Sequence, residues 1–147
     1  MDKNQAIKLI NEAKRAHVNQ MHNVKLLFQE GNLEAMTAVR KSNCKFESWL
    51  NGSTFNVKKI LGEQVYTRLD MNQDEWYRDY LEIYKIFFNR PKQNFFSRLL
   101  GQNSINPIEM EMAKFYHERL AVASHNLINT IESSKRRVLA LPSSKFK

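Results

Sequence analysis

The sequence predicts an all-α fold, an antiparallel four-helix bundle with short extra helical turns in its connections. Three observations predict it. Apolar residues recur at a spacing near 3.5 over long segments, the period of a helix that buries one face. Only 4 Gly and 3 Pro occur in 147 residues, too few to punctuate many short strands. The breaks between the periodic segments are short, and short connections between long helices make antiparallel neighbours.

The first helix is expected from about Asn4 to Glu30, with Ile7, Ile10, His17, Met21, Val24 and Phe28 on its apolar stripe. "EGN" at 30–32 stops it, with Gly31 placed to cap the C-terminus. A second helix is expected from about Leu33 to Leu50, carrying Leu33, Met36, Val39 and Cys44 at helical spacing, and "NGS" at 51–53 ends it. Residues 54–68 read as a short helix followed by a turn at Gly62. A third long helix is expected from near Met71 to about Asn89, rich in aromatic residues, and Pro91 interrupts it. A short helical turn is expected within 93–105, carrying Phe95, Phe96, Leu99 and Leu100. "NPIE" at 106–109 is a helix start: Asn106 caps, Pro107 suits the first helical position and Glu109 can close a capping box. The last helix runs to about Leu139, Pro142 prevents its continuation, and the basic tail from about 140 is expected to fray.

A chain of 147 residues is expected to form one domain, residues 1–147, able to bury a core without staples. A single cysteine excludes an intramolecular disulfide framework. Neither a signal-peptide pattern nor a long apolar run is present, which predicts a cytoplasmic protein with no membrane insertion. The net charge of +8 and pI near 9.7 favour acidic partners. The one dense basic run is "SSKRR" at 133–137. Phosphate-cradling glycine loops, zinc-finger spacing and RNA-binding aromatic signatures are missing, so a solvated basic face is the preferred reading.

Little in the chain resembles assembled catalytic chemistry, and no enzyme is expected. His117 and His125 stand about 80° apart around the last helix, not a ready pair. His22 falls off the first helix's stripe, whereas His17 lies on it. A histidine on such a stripe is ordinarily a hydrogen-bonded core residue. Cys44 reads either as a small buried hydrophobe or as a metal ligand, which needs three partners of N, S or O type. Trp76, Tyr77, Tyr80, Tyr84, Phe87, Phe88, Phe95 and Phe96 form a dense aromatic stretch. Core packing accounts for most of it, and a homodimer interface is expected to use the remainder.

"CKFESWL", with "RAHVNQM" before it and "RLDMNQDEWY" after it, resembles the chemoreceptor zinc-binding domain, CZB. The resemblance covers about residues 10–140. It implies a four-helix bundle, typically homodimeric, of the kind found in bacterial chemoreceptors and diguanylate cyclases, with zinc held by three His and one Cys. Cys44, Phe46 and Trp49 match the family's Cys-x-Phe-x-x-Trp pattern, with Glu47 where a Gly is common, and His17 fits the first family His. On this resemblance His17 and Cys44 are the candidate zinc ligands, and Phe46 and Trp49 are structural.

The remaining two family ligands, a His-x-x-x-His pair opening the third helix, become Gln73 and Tyr77. Helical phase supports that register. At about 100° per residue, Gln73 and Tyr77 fall within the stripe of Trp76, Tyr80, Ile83, Tyr84 and Phe87, while Asp74 and Arg78 sit about 100° or more from its centre. Gln and Tyr are poor zinc ligands near neutral pH, so zinc binding is expected to be weakened or lost. The Tyr77 hydroxyl or the Gln73 amide is then expected to hydrogen-bond the His17 imidazole, and Cys44 to be an unreactive buried thiol.

The resulting functional expectation is a stand-alone sensory or regulatory bundle in bacterial signalling, of chemotaxis or cyclic-di-GMP type. With only a short tail after the last helix, its signal is expected to pass in trans, through a dimer face or a protein partner. The alternative is a basic helical interaction protein binding nucleic acid or an acidic protein, which salt-dependent binding to generic DNA would favour.

Overall fold

The computed structural model describes residues 1–30, 45–52, 56–88 and 106–146, and every regular element among them is helical. Helix α1 spans Lys3–Glu30, α2 Lys45–Asn51, α3 Val57–Leu61, α4 Glu63–Phe88 and α5 Pro107–Ala140; a 3₁₀ turn follows at Ser143–Phe146. The all-α prediction holds for these residues. The expected Gly31 cap, the helix over 33–44 with Cys44, Pro91 and the turn within 93–105 lie outside them.

Local chemistry sets the helix ends. Asp2 Oδ1 accepts from the Gln5 amide and Gln5 Oε1 accepts from the Asp2 amide, each at 2.8 Å, a reciprocal capping box that starts α1. Gly62 closes α3 at φ +96°, its amide donating to Lys58 O at 3.0 Å. That backbone conformation is open to glycine and strained for residues with a Cβ. At α5, Asn106 Oδ1 accepts from the Glu109 amide at 2.8 Å and Pro107 occupies the first turn, as the "NPIE" reading expected.

Contacts along the long helices fix their directions. Going up α1, Lys3 Nζ donates to Leu141 O, Lys14 pairs with Glu132, His17 meets Ser124 and Phe28 packs on His117. Partner numbers fall on α5 as they rise on α1, so the two helices are antiparallel. On α4, Asn72 meets Thr130 and Asp79 meets Arg119, so α4 also runs opposite to α5. His17 and Met21 touch Trp76 while Phe28 touches Phe87, so α1 and α4 run the same way.

The core divides into two apolar clusters. One gathers Ala6, Ile10 and Ala13 of α1 with Phe46, Trp49, Leu61, Leu69, Leu127, Ile131, Val138 and Phe146. The other gathers Val24 and Leu27 of α1 with Trp76, Tyr80, Ile83, Leu120 and Ala123. On α1 the buried residues Ala6, Ile10, Ala13, His17, Val24 and Leu27 keep the alternating three-and-four spacing of a helix seam. Ile7, Met21 and Phe28, expected on that stripe, lie half-buried at its margin. Phe46 and Trp49 pack with ring centroids 5.4 Å apart in the first cluster.

Two boundaries differ from the sequence reading. Helix α4 begins at Glu63 rather than near Met71. Only Gly62 interrupts the backbone there, and Leu69 is fully buried, so packing extends the helix by two turns. The tail does not fray over 143–146: Lys145 N donates to Pro142 O, and the Phe146 ring is buried in the first cluster. The buried ring supplies apolar area that offsets part of the entropy of ordering this short turn.

Candidate functional site at the buried polar layer

Between the two apolar clusters lies a polar layer. His17 sits between Ala13 and Val24 on α1, Gln73 between Leu69 and Trp76 on α4, and Ser124 between Ala123 and Leu127 on α5. His17 and Gln73 are 0 % exposed and Ser124 is 6 % exposed. Such groups are costly in a core unless hydrogen-bonded, so their concentration at one level marks the place where chemistry, rather than packing, decides the residue type.

His17 is the centre of it. Its Nε2 lies 2.8 Å from Ser124 Oγ, and its Nδ1 is buried with no hydrogen-bond partner among the described residues. The ring meets Trp76 edge-on, centroids 5.0 Å apart at 71°. Trp76 Nε1 in turn donates to Met21 Sδ at 3.1 Å, and its ring stacks on Tyr80 at 5.0 Å. Burial alone lowers the His17 pKa to about 4, because a low-dielectric site disfavours the imidazolium. His17 is therefore neutral at physiological pH, with one ring nitrogen protonated and the other carrying a lone pair.

The expected inward register is observed: Gln73 is fully buried and Tyr77 half-buried, while Asp74 and Arg78 are exposed. The expected hydrogen bond is corrected. Neither the Tyr77 hydroxyl nor the Gln73 amide bonds the imidazole; Ser124 does. Tyr77 packs at the flank of the second cluster, ring centroids 6.3 Å from Tyr80. Sequence reasoning missed Ser124, although the signal was present. It stands four residues after Leu120 and three before Leu127, a polar residue on an apolar stripe.

The other candidates disperse. His22 and His125 are exposed, His125 bonding Asn129 at 3.1 Å. His117 is half-buried on Phe28, centroids 4.6 Å apart, and burial lowers its pKa. Cys44 lies outside the described residues. In the basic run Ser134 is buried and donates to Thr130 O, Lys135 is half-buried, and Arg136 and Arg137 are exposed.

Tetrahedral zinc needs four thiolate, imidazole or carboxylate donors. Among the described residues no three His, Cys, Asp or Glu side chains come together, and Gln73 and Tyr77 are not donors zinc selects. The described donor set at His17 therefore does not fit zinc. No helix among the described residues is long and apolar enough to cross a membrane. Comparison of the chain with protein-family models, with curated proteins and with solved structures gives no match.

Proposed function

We propose that this chain is a regulatory helical domain of bacterial signalling, an antiparallel four-helix bundle of CZB type in which a buried polar layer stands in place of the zinc centre. The observation that carries the reading is His17. It is fully buried at mid-height, on the α1 stripe, level with an α4 face that presents Gln73 rather than a second imidazole. The directions of α1, α4 and α5 are those of the first, third and fourth helices of an up-down-up-down bundle, and Phe46 and Trp49 fill the core as the Cys-x-Phe-x-x-Trp pattern requires.

A polar layer between two apolar clusters gives the helices one axial register, because a slip of one turn would bury each polar group against hydrocarbon. A helix shift imposed by a partner at one end would break the layer at the middle, which makes it a two-state element. The output passes in trans to a protein partner, with a homodimer as the working assembly.

The test is metal content by mass spectrometry together with molar mass on the same sample, purified without chelator. Substoichiometric zinc and a dimeric mass are expected. Stoichiometric zinc that disappears in Cys44→Ala would overturn the metal-free reading.

A further inference from the structure

The polar layer is also an electrostatic boundary. Among the described residues on the first-cluster side of His17, Gln73 and Ser124, twelve Lys or Arg stand against six Asp or Glu, a net of +6. On the other side five stand against eight, a net of −3. We infer that the basic end of the bundle is a docking surface for the phosphate backbone of a nucleic-acid duplex, held by Lys3, Lys58, Lys59, Arg136, Arg137 and Lys145 without reading of base sequence. The surface is defined by charge and placement alone, and it stands whether or not the chain is a CZB relative.

The fold brings these six side chains together from four segments. The start of α1, α3, the end of α5 and the C-terminal turn share the first cluster through Ala6, Val57, Leu61, Val138 and Phe146. Lys3 Nζ reaches Leu141 O at 2.9 Å. Arg137 Nη2 lies at the junction of α3 and α4, 3.8 Å from a Cβ placed on Gly62. Lys58 Nζ sits 4.4 Å from the centre of the Tyr66 ring. All but Lys3, which is half-buried, are exposed. None of the six pairs with a carboxylate among the described residues. In the other half Lys85, Lys114 and Arg119 are already paired, with Glu82, Glu111 and Asp79. The surplus is felt locally. The Glu132 carboxyl is held below its ordinary range, first by the hydrogen bond from Lys14 and further by the charges of Lys14, Lys135 and Arg136.

The chemistry of this end selects a phosphate backbone over other polyanions. A protein interface needs an apolar or aromatic centre. The exposed large apolar side chains of this half are Met1, Met71 and Leu139, on three separate segments. The stripe that would suit a protein, Ile108, Met112, Phe115 and Val122 on α5, belongs to the acidic half. Stacking of unpaired bases needs exposed rings. Here Phe46, Trp49 and Phe146 are buried, and Tyr66 has Lys58 over its ring and donates its hydroxyl to Asn51 Oδ1 at 2.6 Å. A membrane surface needs an apolar face as well as charge. A duplex backbone is bound by charge alone, through release of its counterions, and the guanidinium fork matches phosphate oxygens. The acidic half turns the molecule with its basic end toward the duplex.

The experiment follows the fluorescence anisotropy of a labelled generic DNA duplex of about 20 base pairs, titrated with the full chain over a series of salt concentrations. Log affinity is expected to fall with log salt at a slope of about −4 to −5, the release from about five phosphates. Lys58→Gln with Lys59→Gln and Arg137→Gln is expected to weaken binding at low salt by about tenfold or more and to flatten the slope by about 2–3, with unchanged far-UV circular dichroism. Lys25→Gln with Lys85→Gln and Lys114→Gln removes the same charge from the other half and is expected to change affinity by no more than about twofold. The single strand of the same length is expected to bind more weakly. No binding at low salt, equal losses in the two triple variants, or tighter binding to the single strand or to phosphatidylglycerol vesicles would each overturn the assignment.

Discussion

His17 Nε2 and Ser124 Oγ stand 2.8 Å apart at the boundary between the two apolar clusters, joining α1 to α5. Because both groups are buried, losing one partner exposes the other to a desolvation cost that water would otherwise relieve. Ser124→Ala is expected to destabilise the fold by about 1–2 kcal/mol. Removing both polar groups, in His17→Leu with Ser124→Ala, is expected to recover most of that loss. A double-mutant cycle on urea midpoints measures the coupling; additive single effects would show that the contact contributes nothing.

Stability is expected to fall with acidification through a window set by His17. Its pKa is 6.5 in the unfolded chain and about 4 in the fold. Between those values the unfolded state binds the extra proton, so stability rises with pH. The full stability is present above pH 6.5 and is lost as pH falls toward 4, by roughly 3 kcal/mol from this group. His117, lowered by the same cause, contributes with the same sign. Urea denaturation at a series of pH values checks this, and His17→Leu should remove most of the slope between those limits.

Phe146 places the C-terminal turn in the core, with the ring only 7 % exposed. Phe146→Ala is expected to cost about 3 kcal/mol, seen as a lower thermal midpoint. A frayed tail would make the substitution silent, so the measurement separates the two readings directly.

Gly62 is the one residue with positive φ among the described residues. A Cβ placed there meets only Arg137 Nη2, at 3.8 Å, an ordinary contact. Gly62→Ala is therefore expected to destabilise through backbone strain alone, by about 1–3 kcal/mol. The expected signature is a lower denaturation midpoint with an unchanged m-value.

Asp79 is 4 % exposed and its carboxylate lies 3.4 Å from the Arg119 guanidinium, linking α4 to α5. Arg119→Ala strands the carboxylate and is expected to cost about 1–3 kcal/mol. Asp79→Asn with Arg119→Ala should cost less than Arg119→Ala alone, because the charge left without its partner is gone. Thermal melts of the three variants decide it.

The sequence by itself determined what depends on the backbone and on helical phase. Asn106 and Pro107 start α5 and Gly62 separates two helices, because caps and positive φ are local events. His17 and Gln73 point inward and Asp74 and Arg78 outward, because phase around one cylinder follows from spacing alone. The tertiary structure decided what depends on how cylinders are set against one another. That Ser124 rather than Tyr77 or Gln73 meets His17 follows from the axial register of α1 on α5. That α4 extends back to Glu63, and that Phe146 docks, follows from apolar surface offered by distant segments. Periodicity places a side chain on a face; only the packing of several faces, through the burial each contact gains, chooses its partner.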